Sequence, residues 1–522
     1  MTLLSAAILC LLPQERPELP ERWVYCSRNL WVDKGVDGLE EILRRAAGAG
    51  YTGVLLADSK FSKLGDMDER YFRNVERVKK LAGELKLRIV PAVFPVGYSD
   101  SILWHDPNLA EALPVRDALF VARGGAARLE PDPPVSFRPK WGWKDDTVSD
   151  DWVVKDPGGK NARISQKVRV RPFRQYHVSV RVRTQDFAGT PQVAVLAGGR
   201  ALNHASLGVK PTQEWKTHHA VFNSLENEEV AVYLGCWDGR TGTLAWADAK
   251  IEEVGLLNLV RREGAPIAVR KEEGGPLVEG RDFEKVADPL MGAVPWKGCY
   301  DIWHEPPALK TSLPDGTRLR VSYHHVVTIH DGQVMICPSE PKTVDLLRDQ
   351  ARRVHAAWGA RGYFMSHDEI RVMNQDEGCR RRNLDAGAIL ADNARACVRI
   401  LREVNPGGEI FVWSDMFDPN HNARKDYYLV RGDLSGSWEG LDRDVIVALW
   451  YFEKREESMK WFAGRGHRMI MAGYYDGDPE PNARGWLEAA RKHPGVLGIM
   501  YTTWQNKYGD LERFSELVRK HR

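Results

Sequence analysis

The chain has 522 residues, of which 28% are charged and 43% hydrophobic, and its formal net charge is +2. A chain of this length is too long for one compact core and predicts two or three domains. Its 74 basic and 72 acidic residues nearly balance, so no dominant basic patch is expected, and nucleic acid is excluded as a predicted partner.

The first feature along the chain is a short apolar run from Leu3 to Leu12, which ends at Pro13. It is too short to span a membrane, and we predict no membrane span elsewhere in the chain. The run is similar to the apolar part of a secretory signal, although no Lys or Arg precedes it. We therefore predict that residues 1–20 are a leader and that the protein is periplasmic or secreted. The alternative is a plain N-terminal segment of a cytoplasmic protein.

Residues 21–130 alternate short apolar runs with amphipathic helical patterns. Three strands are predicted at Trp23–Ser27, Gly53–Asp58 and Arg88–Phe94, with helices between them. Repeated βα units with almost wholly apolar strands are typical of a parallel sheet that is covered by helices. This stretch is interpreted as the first part of a barrel.

The pattern changes after Pro131, and residues 131–256 follow a period of two. Tyr176–Arg183 and Val230–Gly235 are examples, and no convincing helix separates such runs. The pattern predicts an inserted sandwich of two antiparallel sheets. Residues 257–317 are rich in Gly, Pro and charge, and are predicted to be connecting loops and short hairpins.

The βα rhythm resumes in residues 318–522, which are interpreted as the remainder of the barrel. Three strands before the insertion and five here make eight, the number that closes a barrel. A further strand, Arg318–His325, is assigned to the long excursion after the third barrel strand. The five predicted barrel strands are Gly362–Ser366, Glu409–Ser414, Val445–Tyr451, Arg468–Tyr474 and Gly498–Thr502.

The predicted fold class is therefore α/β, a (β/α)8 TIM barrel interrupted by an inserted all-β jelly-roll sandwich. An open doubly wound sheet is the alternative. It is disfavoured because no G-x-G-x-x-G motif follows the first strand.

Side chains at the carboxyl ends of barrel strands form the active site of such folds. Carboxylates and aromatic residues recur at these ends, a composition that suits a sugar pocket because aromatic faces pack on sugar C–H groups and a carboxylic acid protonates the glycosidic oxygen. The strand-end residues include Arg28, Asp58, Tyr98, His367, Asp368, Glu369, Asp415, Trp450, Tyr474, Tyr475, Asp476 and Trp504.

The most informative of these residues are the adjacent carboxylates Asp368 and Glu369, which we call the acidic pair. Repulsion and partial burial raise the pKa of one member of such a pair, which then donates a proton near neutral pH. The alternative is a solvated acidic turn, or an Asp that caps the following segment. Their place at the end of an apolar strand favours a catalytic site.

The segment from Gly362 to Gln505, and more faintly that from Arg22 to Asp58, resembles the family 20 β-N-acetylhexosaminidases. The resemblance implies that Glu369 is the general acid and base. It implies that Asp368 holds the N–H of the substrate's 2-acetamido group, whose own carbonyl is the nucleophile.

The same resemblance implies substrate-binding roles for further residues, and Asp58 and His367 are added because they follow predicted strands. Arg28 would bind sugar hydroxyls, and either Tyr474 or Tyr475 would form a hydrogen bond with the acetamido oxygen. The whole predicted substrate-binding set is Arg28, Asp58, His367, Trp413, Asp415, Trp450, Tyr474, Tyr475, Asp476 and Trp504.

The sequence departs from the family pattern at two places. The family usually has two glycines before the acidic pair, where this chain has Met365-Ser366-His367, and Asn506 stands where an acid usually follows Trp504. The predicted function is an exo-acting glycoside hydrolase that releases terminal 2-acetamido sugars with retention. The alternatives are a non-catalytic glycan-binding protein, and a glycosidase for sugars without the acetamido group, with Asp415 or Asp476 as a second carboxylate.

The inserted segment resembles the jelly-roll carbohydrate-binding modules, on the basis of Tyr176, Trp215 and the run Trp246-Ala247-Asp248. The resemblance implies that the insertion binds glycan. A structural sandwich that shields the barrel is the alternative.

No metal or other cofactor is predicted. The seven cysteines are scattered and include no C-x-x-C, and the chain has no H-E-x-x-H. His324 and His325 are neighbours in a predicted strand, so their side chains point to opposite faces. The predicted partner is an oligosaccharide or glycoconjugate substrate.

Overall fold

The computed structural model describes residues 19–135, 142–143, 152–155, 162–237, 241–296, 300, 302–330 and 332–521. Residues 1–18 of the predicted leader lie outside this range. None of the described helices is both long and apolar enough to cross a bilayer.

Two βα units and a third strand open the structure. Each helix buries one apolar face, as Val36, Leu39 and Leu43 do in the first, because apolar residues recur at helical spacing. The elements are β1 (Glu21–Ser27), α1 (Asp33–Gly48), β2 (Gly53–Ala57), α2 (Glu69–Glu84) and β3 (Arg88–Val93).

A long all-β excursion follows β3 before the chain returns to its parallel strands. Its strands are β4 (Leu113–Arg123), β5 (Ala126–Leu129), β6 (Gly142–Trp143), β7 (Val153–Lys155), β8 (Ala162–Arg169), β9 (Gln175–Ala188), β10 (Pro191–Ala197), β11 (Arg200–Ser206), β12 (Gln213–Asn223), β13 (Glu229–Cys236), β14 (Thr241–Val254), β15 (Ala268–Lys271), β16 (Pro276–Leu277), β17 (Leu309–Lys310) and β18 (Arg318–His325).

The returning chain alternates helices and strands to its end. The elements are α3 (Pro341–Trp358), β19 (Gly362–Met365), β20 (Val372–Met373), α4 (Glu377–Arg380), α5 (Ala386–Val404), β21 (Glu409–Trp413), β22 (Leu429–Val430), β23 (Ile446–Leu449), α6 (Arg455–Gly464), β24 (Met469–Tyr474), α7 (Pro479–Ala490), β25 (Val496–Thr502) and α8 (Leu511–His521).

Eight parallel strands close into a barrel in the order β1-β2-β3-β19-β21-β23-β24-β25, which confirms the predicted barrel. The last strand pairs with the first, with Tyr501 opposite Val24. Side chains alternate along a strand, so each strand sends every second residue inward. The interior is filled by a layer that includes Trp23, Leu55, Val90, Phe364, Phe411, Ile446, Ile470 and Met500.

The excursion forms two units. The sandwich packs the sheet β11-β10-β13-β8-β6 against the sheet β12-β9-β14-β7, as expected for the inserted all-β fold. Tyr176 and Trp246, on which the resemblance to binding modules rests, are buried in its core. Trp215 is only partly buried and lies beside the guanidinium groups of Arg181 and Arg183.

A third sheet, which we call the bridging sheet, has the order β16-β15-β18-β4-β5-β17. It accounts for β18, the strand that was assigned to the excursion. It also contains β4 and β5, within residues 21–130 that were assigned to the barrel. The physical reason is the two-residue turn Gly124-Gly125, in which both residues have positive φ and the chain folds back as an antiparallel hairpin.

Candidate active site

A cavity of about 660 Å³ opens where the barrel strands end. This size is within the range of small-ligand sites. Every barrel strand except β24 contributes, either directly or through the residues just after it. The cavity brings together six predicted residues, Asp58, Asp368, Glu369, Trp413, Trp450 and Trp504, and adds others that include Tyr25, Tyr98, Asp100 and His330.

Four aromatic side chains form one wall of the cavity, and we call them the aromatic cage: Tyr25, Trp413, Trp450 and Trp504. Tyr25 and Trp413 lie two residues beyond Trp23 and Phe411 of the interior layer, so strand alternation turns them inward as well. The ring of Trp504 lies 5.5 Å from that of Tyr25, 5.6 Å from that of Trp413 and 6.2 Å from that of Trp450. The cage offers flat apolar faces to the C–H groups of a ligand.

Glu369 is held by contacts on both carboxylate oxygens. Arg371 donates to Oε1 at 2.7 Å, and the Tyr98 hydroxyl donates to Oε2. The buried Arg371 guanidinium is held in turn by Gln333. Glu369 has a positive φ of 51°, and its backbone N–H donates to Asp415 Oδ2 at 2.8 Å. These bonds fix its carboxylate at the cavity wall.

Asp368 faces the same cavity but has a different environment. Burial, reinforced by the nearby carboxylates of Asp415 and Glu369, raises the pKa of Asp368 to about 8. It therefore keeps its proton at neutral pH, whereas Glu369 is paired with Arg371. Asp368 is the member of the acidic pair that holds a proton.

Asp415 lies behind the cavity wall and is fully buried. Its oxygens accept hydrogen bonds from the N–H of Glu369, from Asn422 Nδ2 at 2.9 Å and from Trp450 Nε1 at 3.3 Å. Burial raises its pKa to about 6. Asp415 therefore connects the acidic pair to the aromatic cage and presents no free oxygen to a ligand.

Arg28 and His367 lie outside the cavity lining. Arg28 is at the rim, where it donates to Asn506 and to the carbonyl of Ser27. Asn506 thus pairs with Arg28 at the position where the family usually has an acid. His367 is fully buried and bonded to Asn393 at 3.0 Å. His367 was predicted to bind substrate, but its buried side chain does not line the cavity.

Tyr474 and Tyr475, also predicted to contact substrate, do not line the cavity either. The Tyr474 hydroxyl donates to Asp510, and the Tyr475 hydroxyl donates to the carbonyl of Ala472. The physical reason is the backbone, since Tyr474, Tyr475 and Asp476 all have positive φ and form a turn. Asp476 instead accepts from the N–H of Trp504 at 2.8 Å and positions that ring.

Three functional candidates were absent from the predicted site: Tyr25, Tyr98 and Asp100. The alternation of side chains along β1 would have predicted Tyr25, because Tyr25 stands two residues after the inward-facing Trp23. Tyr98 was recognised as a strand-end residue without a role. Asp100 is exposed and lines the cavity, where desolvation raises the pKa of its carboxyl to about 6, a signal that the sequence does not carry.

Comparisons with known proteins give structural matches alone. No family model matches the chain, and no curated protein sequence matches it. A β-N-acetylhexosaminidase from Bacteroides fragilis matches with a TM-score of 0.39 and 8% identity, over 96% of this chain and 66% of its own. A rhamnosidase from Novosphingobium sp. PP1Y matches with a TM-score of 0.34 and 13% identity, over 94% of this chain and 55% of its own.

A third similar structure, a family 4 carbohydrate-binding module, matches 26% of this chain and 74% of its own, with a TM-score of 0.17 and 12% identity. The chain thus spans between about half and two thirds of the two enzymes, and a quarter of it corresponds to the module.

Proposed function

We propose that the protein is a glycoside hydrolase that removes a terminal 2-acetamido sugar with retention, using the substrate's own acetamido carbonyl as the nucleophile. One observation carries the proposal: Asp368 and Glu369 line one cavity with an aromatic cage, Glu369 is paired with Arg371, and burial raises the pKa of Asp368 to about 8. A pocket enclosed by the ends of seven strands suits the end of a glycan chain, and hence exo action.

The internal hydrogen bonds of Asp415 and Asp476 favour substrate assistance. A protein nucleophile or base would need a second free carboxylate about 5–9.5 Å away. Asp415 and Asp476 were the candidates for that role, but the carboxylate oxygens of both accept hydrogen bonds from within the protein. Neither lines the cavity. The acetamido oxygen of the substrate then supplies the nucleophile.

The single proton of the acidic pair gives a route from binding to catalysis. An acetamido N–H that donates to Asp368 stabilises the charged form of Asp368 and lowers its pKa. The proton then passes to Glu369, which donates it to the glycosidic oxygen as the C1–O bond breaks and the acetamido oxygen bonds to C1. Water later attacks C1, the bond between C1 and the acetamido oxygen breaks, and the water returns a proton to Glu369.

Tyr25 is proposed for the role first predicted for Tyr474 or Tyr475. Its phenol faces the cavity near Asp368, whose charge contributes, after burial, to raising the pKa of the phenol. A neutral phenol donates a hydrogen bond to an acetamido oxygen. Tyr25→Phe should therefore lower kcat more than it raises KM.

The decisive test is Glu369→Gln, assayed on aryl N-acetylhexosaminides. Loss of the acid should lower kcat by about 10²–10⁴-fold. Glu76→Gln on the exposed face of α2 is the matched control and should retain full turnover. Unchanged turnover of the Glu369 variant would reject the proposal. Binding of a glycan by the native protein without any hydrolysis would favour the glycan-binding alternative.

Asp100 favours a second candidate, a two-carboxylate glycosidase for sugars without the acetamido group. It lines the cavity, and its carboxyl group has no hydrogen bond or ion pair among the described contacts. Comparing aryl glucosides with aryl N-acetylglucosaminides separates the two candidates. Preference for the glucoside, abolished by Asp100→Asn, would replace the acetamido mechanism.

A further inference from the structure

Away from the cavity, four buried side chains from three distant stretches of chain converge on one point. Glu111 precedes β4, Cys337 precedes α3, and Asp376 and Cys379 belong to the first turn of α4. One ligand atom from each lies within 4.8 Å of all the others. We propose that Glu111, Cys337, Asp376 and Cys379 bind one zinc ion, and we call this group the buried zinc site.

The separations between these atoms match the edges of a zinc tetrahedron. Zn–S bonds of about 2.3 Å and Zn–O bonds of about 2.1 Å place neighbouring ligand atoms about 3.4–3.8 Å apart. Cys337 Sγ lies 3.6 Å from Cys379 Sγ and 3.7 Å from Asp376 Oδ1. Cys379 Sγ lies 3.4 Å from Glu111 Oε2. Three edges of the tetrahedron are thus already formed.

The surrounding groups leave the site short of positive charge. Arg262 is the cation beside it, and its guanidinium is shared between Asp376 Oδ2 and Glu340 Oε1, each at 2.5 Å. Glu111 Oε1 accepts from the backbone N–H groups of Gln375 and Asp376, so its other oxygen faces the thiols. Buried carboxylates need a compensating cation, and a divalent ion would supply it.

The neighbouring hydrogen bonds also hold the ligands in place. Asp376 Oδ1 accepts from the N–H of Cys379 at 3.1 Å, and Ser339 Oγ lies 3.1 Å from Cys379 Sγ. Such outer contacts orient metal ligands.

The ligand types select the metal and its role. Two sulfur and two oxygen ligands in a compact group favour zinc over calcium or magnesium, which prefer oxygen alone. Glu111 is 3% exposed and the other three ligands are fully buried, so four protein ligands would close the coordination sphere. A closed sphere is typical of a structural ion.

The site would join the excursion to the barrel segment that follows the acidic pair along the chain. The stretch that leads to Cys337 includes Gln333, which donates to the carbonyls of Gly97 and Glu369 at 2.7 and 2.9 Å. Asp376 and Cys379 follow Glu369 along the chain. The zinc ligands therefore act as positioning residues for the loops on both sides of the cavity. The proposed ion itself does not depend on the proposed reaction.

The test is metal analysis of the full-length chain, purified without chelator after expression in zinc-supplemented medium. We expect about one zinc per chain in the native protein. Cys337→Ser and Cys379→Ser should each lose most of it. The control, Cys397→Ser, changes a buried cysteine on α5 that lies outside the site and should keep its zinc.

A second measurement covers the case in which the cysteine variants fail to fold. Replacing zinc by Co²⁺ in the native chain should give thiolate-to-cobalt charge-transfer absorption and the visible bands of a tetrahedral ion. Native protein that binds neither metal would overturn the proposal. Mass spectrometry that finds a Cys337–Cys379 disulfide, with two hydrogens lost, would overturn it equally.

Discussion

At the scale of single residues, the placement of Asp368 between two other carboxylates determines when the proposed acid is available. The acidic pair must carry one proton to protonate a leaving group, and that proton has a pKa of about 8 in the free protein. Above this pH Asp368 has lost its proton, and the pair has no proton to donate. The two carboxyl groups titrate as a unit, so the loss of activity at alkaline pH reports on both residues.

We therefore expect kcat/KM for an aryl N-acetylglucosaminide to fall as the pH rises through about 8, tenfold per pH unit at the high end. The measurement is a kcat/KM profile between about pH 6 and about pH 10. Asp368→Asn should lower activity and shift the pH at which kcat/KM falls. A profile that stays level across the alkaline range would mean that the pair does not hold the catalytic proton.

The carboxyl group of Asp368 also affects the free energy of unfolding. Its pKa is raised from 3.8 in the unfolded chain to about 8 in the folded protein. The folded state therefore binds its proton more tightly, and the resulting stability is full below pH 4 and is lost as the pH rises toward 8. At neutral pH Asp368 destabilises the fold.

Asp368→Asn should consequently raise the free energy of unfolding by about 1–2 kcal/mol at pH 8, with little change at pH 4, while activity falls. Denaturant unfolding of both proteins at the two pH values measures this. Asp282→Asn is the control, because the pKa of that partly exposed carboxyl is lowered by its pairing with Arg281. An Asp368 variant that is less stable at pH 8 would contradict the shift.

At the scale of elements, periodicity was enough to predict all eight barrel strands, because buried parallel strands are continuous apolar runs. It was not enough for the hairpin of β4 and β5, which is equally apolar and whose Gly124-Gly125 turn was not recognised. The acidic pair could be predicted because it comes directly after an apolar strand. The orientation of Tyr474 and Tyr475 could not be predicted, because it depends on a left-handed turn rather than on strand alternation.

The close packing of the loop after β3 against the acidic pair is also invisible in the sequence. A Cβ atom on Gly97 would lie 1.8 Å from the carbonyl oxygen of Asp368 and 3.0 Å from its carbonyl carbon. Only glycine allows these two loops to approach so closely. The approach fixes the backbone that carries both carboxylates.

Gly97→Ala should therefore displace the acidic pair and lower kcat/KM by about 10-fold or more, since small misplacements of reacting groups are costly. Gly83→Ala, in the last turn of α2 with nothing within 4 Å of the added atom, is the control and should stabilise the protein by about 0.5–1 kcal/mol. Steady-state kinetics and thermal melts measure both effects. Full activity in the Gly97 variant would show that the loops are free to separate.

At the scale of the whole molecule, the sandwich is joined to the rest by buried polar contacts. His325 on the bridging sheet is bonded to Gln175 and Asn223 of the sandwich, each at 2.9 Å. Arg200 of the sandwich donates to the carbonyl of Val430 at 2.9 Å, in the short strand β22 between barrel strands β21 and β23. Contacts of this kind couple the folding of the units they join, because separating them leaves buried polar groups without partners.

We therefore expect the barrel, the bridging sheet and the sandwich to unfold in one transition, and His325→Ala to lower its midpoint for the whole chain. The variant creates a cavity and leaves two amides without their partner, at a cost of about 2–4 kcal/mol. Calorimetry, far-ultraviolet circular dichroism and loss of activity should give the same midpoint in each protein. His493→Ala, a partly exposed control after α7, should leave the midpoint unchanged. Two separated transitions, with activity lost only in one, would instead make the sandwich an independent module attached to the barrel.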